Sequence, residues 1–313
     1  MTDDITVFSG SAHRGFAEEV CGLLGIELSE SGTTRFSNDC LQVHLGANCR
    51  KRDVFIVQPL VPPVQENLVE LLLMLDAARG ASAGHLTVVM PHYAYARSDK
   101  KDAPRISIGA RLVADLLHKA GAQRVVTMAL HSPQVHGMFE MPVDHLSANH
   151  VIAEHFRKNG DLSNAVVVSP DFGNVKEANH FARLLDLPVA AGAKRRLTDD
   201  RVVVDSIVGD VAGKDVIVID DEIATAGSLI ELFDKLREVG VNSISAAAVH
   251  GLYTGPAIER LNAQADLKEI VSTNTVPPPV GLDKHTVLSV APLFAEGVRR
   301  INSGESISSL FDA

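Results

Sequence analysis

Short apolar runs alternate along the chain with longer stretches in which apolar residues recur at helical spacing. The runs Ile5–Phe8, Asp53–Val57, Leu86–Met90, Arg124–Met128, Ala165–Val168, Val216–Ile219 and Ile244–Val249 predict buried strands. Between them, Gly15–Leu24, Gln65–Ala78, Ile108–Ala120, Ala148–Lys158, Lys176–Leu185 and Ser228–Val239 predict helices with one apolar face. Strand and helix in strict alternation give a parallel sheet covered by helices, so the predicted fold class is α/β.

The pattern also repeats. Leu112–Ser132 and Leu229–Gly251 each read as an amphipathic helix, a glycine cap (Gly121 or Gly240) and a strand ending in a histidine (His131 or His250), ten residues beyond the glycine in both. At 313 residues the chain exceeds the usual size of one hydrophobic core. Two units of one fold are therefore expected, over 1–147 and 148–313. The last helix, Pro292–Asn302, is expected to pack back on the first half. The most linker-like stretch is the proline run Thr275–Val280.

Composition narrows the function. Hydrophobic residues make up 46% and charged residues 22%, which excludes a disordered, collagenous or coiled-coil chain. Aromatics are only 4%, with no Trp, so the core must be aliphatic, as buried parallel strands prefer. A formal charge of −10 argues against a nucleic-acid or anionic-membrane binder. Cys21, Cys40 and Cys49 show neither paired spacing nor an even count, so no disulfide framework or zinc ribbon is expected. The N-terminus is acidic and lacks an apolar signal region, and no long uncharged apolar stretch follows. A soluble cytoplasmic protein is the expectation.

The most informative segment is Val216–Leu229, VIVIDDEIATAGSL. A buried strand delivers two carboxylates, Asp220 and Asp221, to the carboxyl edge where open α/β sheets bind ligands. The small residues Ala224, Thr225, Ala226, Gly227 and Ser228 then open a helix. Their backbone N–H groups and two hydroxyls can close on a phosphate, and the helix N-terminus favours its charge. A carboxylate beside that cradle can accept hydrogen bonds from sugar hydroxyls. Spacing alone leaves a second reading open, an acidic strand end before an ordinary capped helix, as in receiver-like or metal-binding α/β domains.

The segment resembles the 5-phosphoribosyl-binding motif of the phosphoribosyltransferase fold. With it in place, the chain resembles class I ribose-phosphate pyrophosphokinases nearly end to end. The resemblance runs through FSGSAH (8–13), RFSND (35–39), YARSDKKD (95–102), TMALHSPQVHGMF (127–139), VVSPDFGNVK (167–176), AKRR (193–196), HGLYTGPAIERL (250–261) and NSGESISSLF (302–311). It implies two tandem phosphoribosyltransferase-like domains. The implied reaction transfers the β,γ-diphosphoryl group of MgATP to the 1-hydroxyl of ribose 5-phosphate, releasing AMP. Such transfer is positioning and charge neutralisation, which calls for cations around the triphosphate.

By the resemblance, Lys194 and Arg196 lie on a catalytic loop over the transferred group; read alone, 194–196 is a solvated basic turn. Phe36, Asn38, Asp39 and Cys40, with Arg97 and Ser98, fall on the ATP segments, the first contributed by a neighbouring subunit; read alone, Phe36 is a core residue. Asp220, Asp221 and Ala224 to Ser228 take ribose 5-phosphate. His131 and Asp171 fall at Mg²⁺, although a histidine is an unusual ligand for a hard cation. Lys100, Lys101 and Arg105 belong to a loop over ATP or to a plain solvated loop. The implied assembly is a homo-oligomer, dimer-based and in family members hexameric.

The sequence departs from the family pattern in informative places. Ala129 stands where most members carry an acid two residues before the histidine, Cys40 where a Glu closes the adenine segment, and Ser98 where a Gln follows the arginine. Ala224 replaces a common Asp in the sugar-phosphate loop, which leaves a different phosphorylated acceptor open. Pro133 and His136 replace a Ser and a Gln of the phosphate and ADP regulatory site. Loss of contacts at Ala129 and Cys40 supports a rival reading, a non-catalytic paralogue that binds a partner synthetase. A transferase that consumes phosphoribosyl pyrophosphate is disfavoured by the presence of the ATP segments.

Overall fold

The computed structural model describes residues 4–198 and 201–311, with backbone alone for 194–198 and 201–203. The chain divides into two compact units, one of 1–147, 275–277 and 289–313, the other of 148–274 and 278–288. Chain order and spatial grouping thus part company at the C-terminus, where 289–313 joins the first unit and not the second.

In the first unit, β1 (Ile5–Ser9), α1 (Arg14–Leu24), β2 (Ser31–Arg35), β3 (Leu41–Leu45), β4 (Asp53–Val57), α2 (Val64–Gly80), β5 (His85–Met90), α3 (Gly109–Ala120), β6 (Arg124–Met128) and β7 (Val143–Leu146) follow in order. The sheet runs β1-β4-β5-β6-β7, every neighbour parallel. β2 and β3 pair antiparallel as a separate hairpin. Val54, Ile56, Val88, Val125 and the apolar face of α2 are wholly buried, the aliphatic core that the composition requires.

In the second unit, α4 (Asn149–Asn159), β8 (Ala165–Ser169), α5 (Val175–Leu184), β9 (Val189–Thr198), β10 (Arg201–Val208), β11 (Asp215–Ile223), α6 (Gly227–Val239), β12 (Ser243–Gly251), α7 (Ala257–Asn262), β13 (Leu267–Thr273) and β14 (His285–Leu288) follow. The strand order is β10-β9-β8-β11-β12-β13-β14, parallel except for the antiparallel β9–β10 arm. The chain leaves β8 toward β9 and returns to place β11 on the other side of β8, so the strand order reverses between β8 and β11. In open α/β sheets such a reversal leaves a crevice at the strands' carboxyl ends.

The last helix, α8 (Ala291–Ser303), belongs to the first unit and docks on α1. Phe294 is fully buried and meets Phe16 edge to face at 5.3 Å. Burial of such a ring stabilises the docked helix by about 2 kcal/mol. Ser289 Oγ donates to Glu19 Oε1 at 2.5 Å and Asn302 Nδ2 to Asp53 Oδ2 at 2.7 Å, fixing both ends of the packing.

The repeat read from sequence corresponds to α3–Gly121–β6 and α6–Gly240–β12, with both glycines at positive φ, 128° and 82°. The two histidines differ. His250 is buried inside β12, whereas β6 ends at Met128 and His131 lies exposed in the turn beyond it. No helix among the described residues is long and apolar enough to cross a membrane.

Candidate active site

The crevice of the second unit gathers the acidic residues. β11 continues beyond the acid pair to Ile223, so Asp220 and Asp221 sit on ordered strand backbone and not in a loop. Asp220 lies opposite Ala248 of β12. From the loop after β8, Asn174 Nδ2 makes a long, 3.4 Å hydrogen bond to Asp220 Oδ1. Asp171 Oδ1 accepts from the Asn174 N–H at 3.1 Å, and Ser169 Oγ donates to the Asp171 carbonyl at 2.7 Å. Burial raises the Asp220 carboxyl well above the usual carboxylate range, reinforced by the charges of Asp221 and Asp171. Three carboxylates from two strand ends thus share one electrostatic environment. Asn174 was not legible from sequence, because a polar residue at a helix start reads as a cap.

The loop after β11 has its backbone turned by Ala226, which caps α6 in the left-handed region at φ 59°. Among the described residues, the N–H groups of Ala224, Thr225, Ala226, Gly227 and Ser228 donate to no protein acceptor. Thr225 and Ser228 are exposed. Five successive amides with unspent donors, at the positive end of a helix, form a surface suited to a phosphate.

In the first unit the predicted ATP residues fall on two segments. Phe36, Asn38, Asp39 and Cys40 form the tip of the β2–β3 hairpin, with Phe36 47% exposed, so it is not a core residue. The tip closes through Asp39 N–H to the Phe36 carbonyl and Phe36 N–H to the Cys40 carbonyl, both 2.9 Å, with Asp39 at φ 71°. Arg35 pairs with both Asp39 and Glu66 of α2. The hairpin base is held by Glu70, a buried carboxylate that accepts from Ser11 Oγ at 2.7 Å, Gln58 Nε2 at 2.6 Å and Thr33 of β2. A cavity of about 380 Å³ lies there, bordered by Ser11, Thr33, Arg35, Glu66, Asn67 and Glu70. Gly10 of the FSGS segment is required by this packing, since a Cβ would fall 2.4 Å from the Gln58 amide carbon.

Arg97 ends a short 3-10 turn, 94–97, and Ser98 follows it. The Ser98 hydroxyl accepts from the Gly109 N–H at 2.9 Å and its carbonyl from the Ala110 N–H at 3.1 Å, so Ser98 caps α3. After β6, Ala129 adopts φ 45°, a region costly for a residue with a Cβ. The next amide, Leu130 N–H, donates to His145 Nε2 of β7 at 2.8 Å, which holds the turn that carries His131. His145 is neutral: burial, reinforced by His136, lowers its pKa from 6.5 to about 4.

Lys194 and Arg196, expected on a loop, lie by backbone on β9, opposite Val204 and Val202 of β10. Their side chains fall outside the described residues. Among the described residues no group of three or more His, Cys, Asp or Glu is arranged to hold a metal ion by itself. The Asp171–Asp220–Asp221 corner nevertheless suits a divalent cation in its charge, since a cation there relieves mutual repulsion. Mg²⁺ commonly keeps waters and takes one or two carboxylates plus substrate phosphates, so a preformed cage is not needed.

A parallel sheet whose order reverses beside an acid-tipped strand and an amide-lined loop defines an α/β protein of the phosphoribosyltransferase type, here built as two such domains. Residues 5–121 match the model of the N-terminal domain of ribose phosphate pyrophosphokinase, and residues 202–312 the phosphoribosyl synthetase-associated domain. A Streptomyces coelicolor protein provisionally named a ribose-phosphate pyrophosphokinase is 64% identical over 312 residues, covering 99% of this chain and 98% of its own. The ribose-phosphate pyrophosphokinase of Deinococcus radiodurans is 51% identical over 98% of both chains. The crystal structure of phosphoribosylpyrophosphate synthetase from Mycobacterium smegmatis superposes with a TM-score of 0.91 at 36% identity, covering 96% of this chain and 99% of that one. The chain belongs to the ribose-phosphate pyrophosphokinase family.

Proposed function

We propose that the chain transfers the β,γ-diphosphoryl group of ATP to the 1-hydroxyl of ribose 5-phosphate, giving phosphoribosyl pyrophosphate and AMP. The observation that carries this reading is the acid pair joined to five unspent amides at the strand reversal, within a chain similar end to end to named pyrophosphokinases. The 1-hydroxyl oxygen forms a bond to the β-phosphorus of ATP. The bond from that phosphorus to the α,β-bridging oxygen breaks, AMP leaves with the electron pair, and the hydroxyl proton passes to solvent.

The amides of 224–228 and the Thr225 and Ser228 hydroxyls hold the 5-phosphate, while Asp220 and Asp221 accept hydrogen bonds from ribose hydroxyls. Together they fix the acceptor's orientation, the larger part of what this chemistry needs. Phe36 stacks on adenine, Asn38, Asp39 and Cys40 border it, and Arg97 and Ser98 face the nucleotide. Exposure of the Phe36 ring suits a hairpin that completes a site on a second copy, so a homo-oligomer built from dimers, up to a hexamer, is part of the proposal. Lys194 and Arg196 offset charge developing on the phosphoryl oxygens. Mg²⁺, when bound, neutralises triphosphate charge, with Asp171 in the second unit and His131 in the first each a candidate group for holding a cation. The nucleotide substrate and the free cysteines Cys21, Cys40 and Cys49 fit the cytoplasm.

Purified protein given ATP, ribose 5-phosphate and Mg²⁺ is expected to form AMP and phosphoribosyl pyrophosphate in equal amounts. Absence of AMP with every divalent cation tried would overturn the enzyme reading. It would favour the regulatory paralogue, whose support is the acid missing at Ala129 and the Glu missing at Cys40.

A further inference from the structure

The five amides of the loop after β11 point to open space only if something holds their carbonyls on the other side. A trans peptide fixes its C=O and N–H in opposite directions. Anchoring the carbonyl of residue i therefore aims the N–H of residue i+1. Segment 252–260 anchors three in succession. The Ile223 carbonyl accepts from Leu252 and Tyr253 N–H, both at 3.0 Å, and the Ala224 carbonyl accepts from Thr254 N–H at 2.9 Å. The Thr225 carbonyl accepts from Arg260 Nη1 at 2.9 Å, the one side chain in this brace.

Two further observations concern Arg260. A Cβ on Gly227 would come within 3.3 Å of Arg260 Nη1, so the guanidinium lies close against the first helical position. Among the described residues Arg260 has no carboxylate partner, whereas Arg237 on the neighbouring helix pairs with Asp234 and Asp266, and Arg299 with Glu296 and Glu305.

We infer that Arg260 is a positioning residue for the phosphate loop: it fixes the Thr225–Ala226 peptide so that the Ala226 N–H faces the ligand, and its guanidinium, on the carbonyl side of that peptide, adds positive charge behind the loop. The inference rests on the sugar-phosphate reading of the loop and adds to it a residue that is remote in sequence. Arginine suits the task because one arm can bond the carbonyl while the delocalised charge and remaining donors stay available.

The test is calorimetric titration of the full-length protein with ribose 5-phosphate, ribose and inorganic phosphate, for wild type, Arg260→Met and Arg260→Lys, at low and high salt. Arg260→Met is expected to weaken ribose 5-phosphate about tenfold, through loss of the bond that aims one amide and of the charge behind the loop. Arg260→Lys, which keeps charge and a donor, recovers most of it. The gap between wild type and Arg260→Met narrows with salt, because the site is exposed. In turnover the loss falls on KM for ribose 5-phosphate and leaves KM for ATP within twofold. Equal affinity of Arg260→Met and wild type overturns the inference, as does equal loss in both variants accompanied by a change in KM for ATP. Wild type that binds ribose as tightly as ribose 5-phosphate overturns the phosphate reading of the loop itself, a distinct failure.

Discussion

The two units carry the same piece of scaffold, β5–α3–β6 in the first and β11–α6–β12 in the second, with opposite treatment of the strand-to-helix junction. In the first, β5 ends in Val89-Met90 and a long loop, 91–108, bearing Arg97, Lys100, Lys101 and Arg105, leads to α3. The helix start is closed: Ser98 takes the Gly109 N–H on its hydroxyl and the Ala110 N–H on its carbonyl. In the second, β11 carries its acids just before its last residue, Ile223, the loop is cut to 224–226, and the first amides of α6 are left open among the described residues. A helix N-terminus binds an anion only if its own chain does not cap it first. The scaffold aims the amides in both units, and the junction decides whether they serve the fold or a ligand.

The largest expected effect lies on the open side. On the proposed function, Asp220→Asn and Asp221→Asn each replace a carboxyl acceptor for a sugar hydroxyl by an amide and should raise KM for ribose 5-phosphate by one to two decades, about 1.5–3 kcal/mol. KM for ATP should stay near wild type, and a larger effect on ATP would move the acid pair to the nucleotide.

The next effect is acid sensitivity at the first unit's turn. His145 has a folded pKa lowered from 6.5 to about 4, so the unfolded chain takes the proton first as pH falls. Its contribution to stability is complete above pH 6.5 and is lost progressively between 6.5 and 4. The brace in the second unit is made of amides, carbonyls and Arg260, none of which titrates there. Thermal melts of His145→Gln should lose less stability than wild type across that interval, and an unchanged slope would remove His145 as the acceptor that matters.

The smallest effect tests the closed helix. Ser98→Ala should destabilise by about 1 kcal/mol, lowering the melting temperature by roughly 2–4 °C. The cap explanation fails if the melting temperature does not move.

The regular elements were legible because they repeat locally. The seven predicted strands correspond to β1, β4, β5, β6, β8, β11 and β12, and the predicted helices to α1 through α6 and α8. Among the unread elements, β7 (VDHL) and β13 (LKEIVST) are largely buried but mix charged with apolar residues in sequence. β2 is SGTTR and almost wholly exposed, and β9 runs into the charged 194–196 segment, which suggested a loop. Of the repeat, helix, glycine and strand held, but the matching histidines went to different environments, one buried in a strand and one exposed in a turn.

Much the same division applies to the site. The acid pair and the small-residue loop are contiguous, so their order along the chain already carries their chemistry. Nothing in PAIERL announces that Arg260 anchors the Thr225 carbonyl, and nothing in YARSD announces that Ser98 bonds the start of α3.

Sequence alone therefore determined the α/β class and the adjacency of the acid pair and the small-residue loop at the end of β11, because periodicity and contiguous motifs are properties of neighbouring residues. Tertiary structure decided which strand ends meet at the reversal, which amides stay open, and which distant side chains hold them, because those follow from hydrogen bonds between segments that only folding brings together.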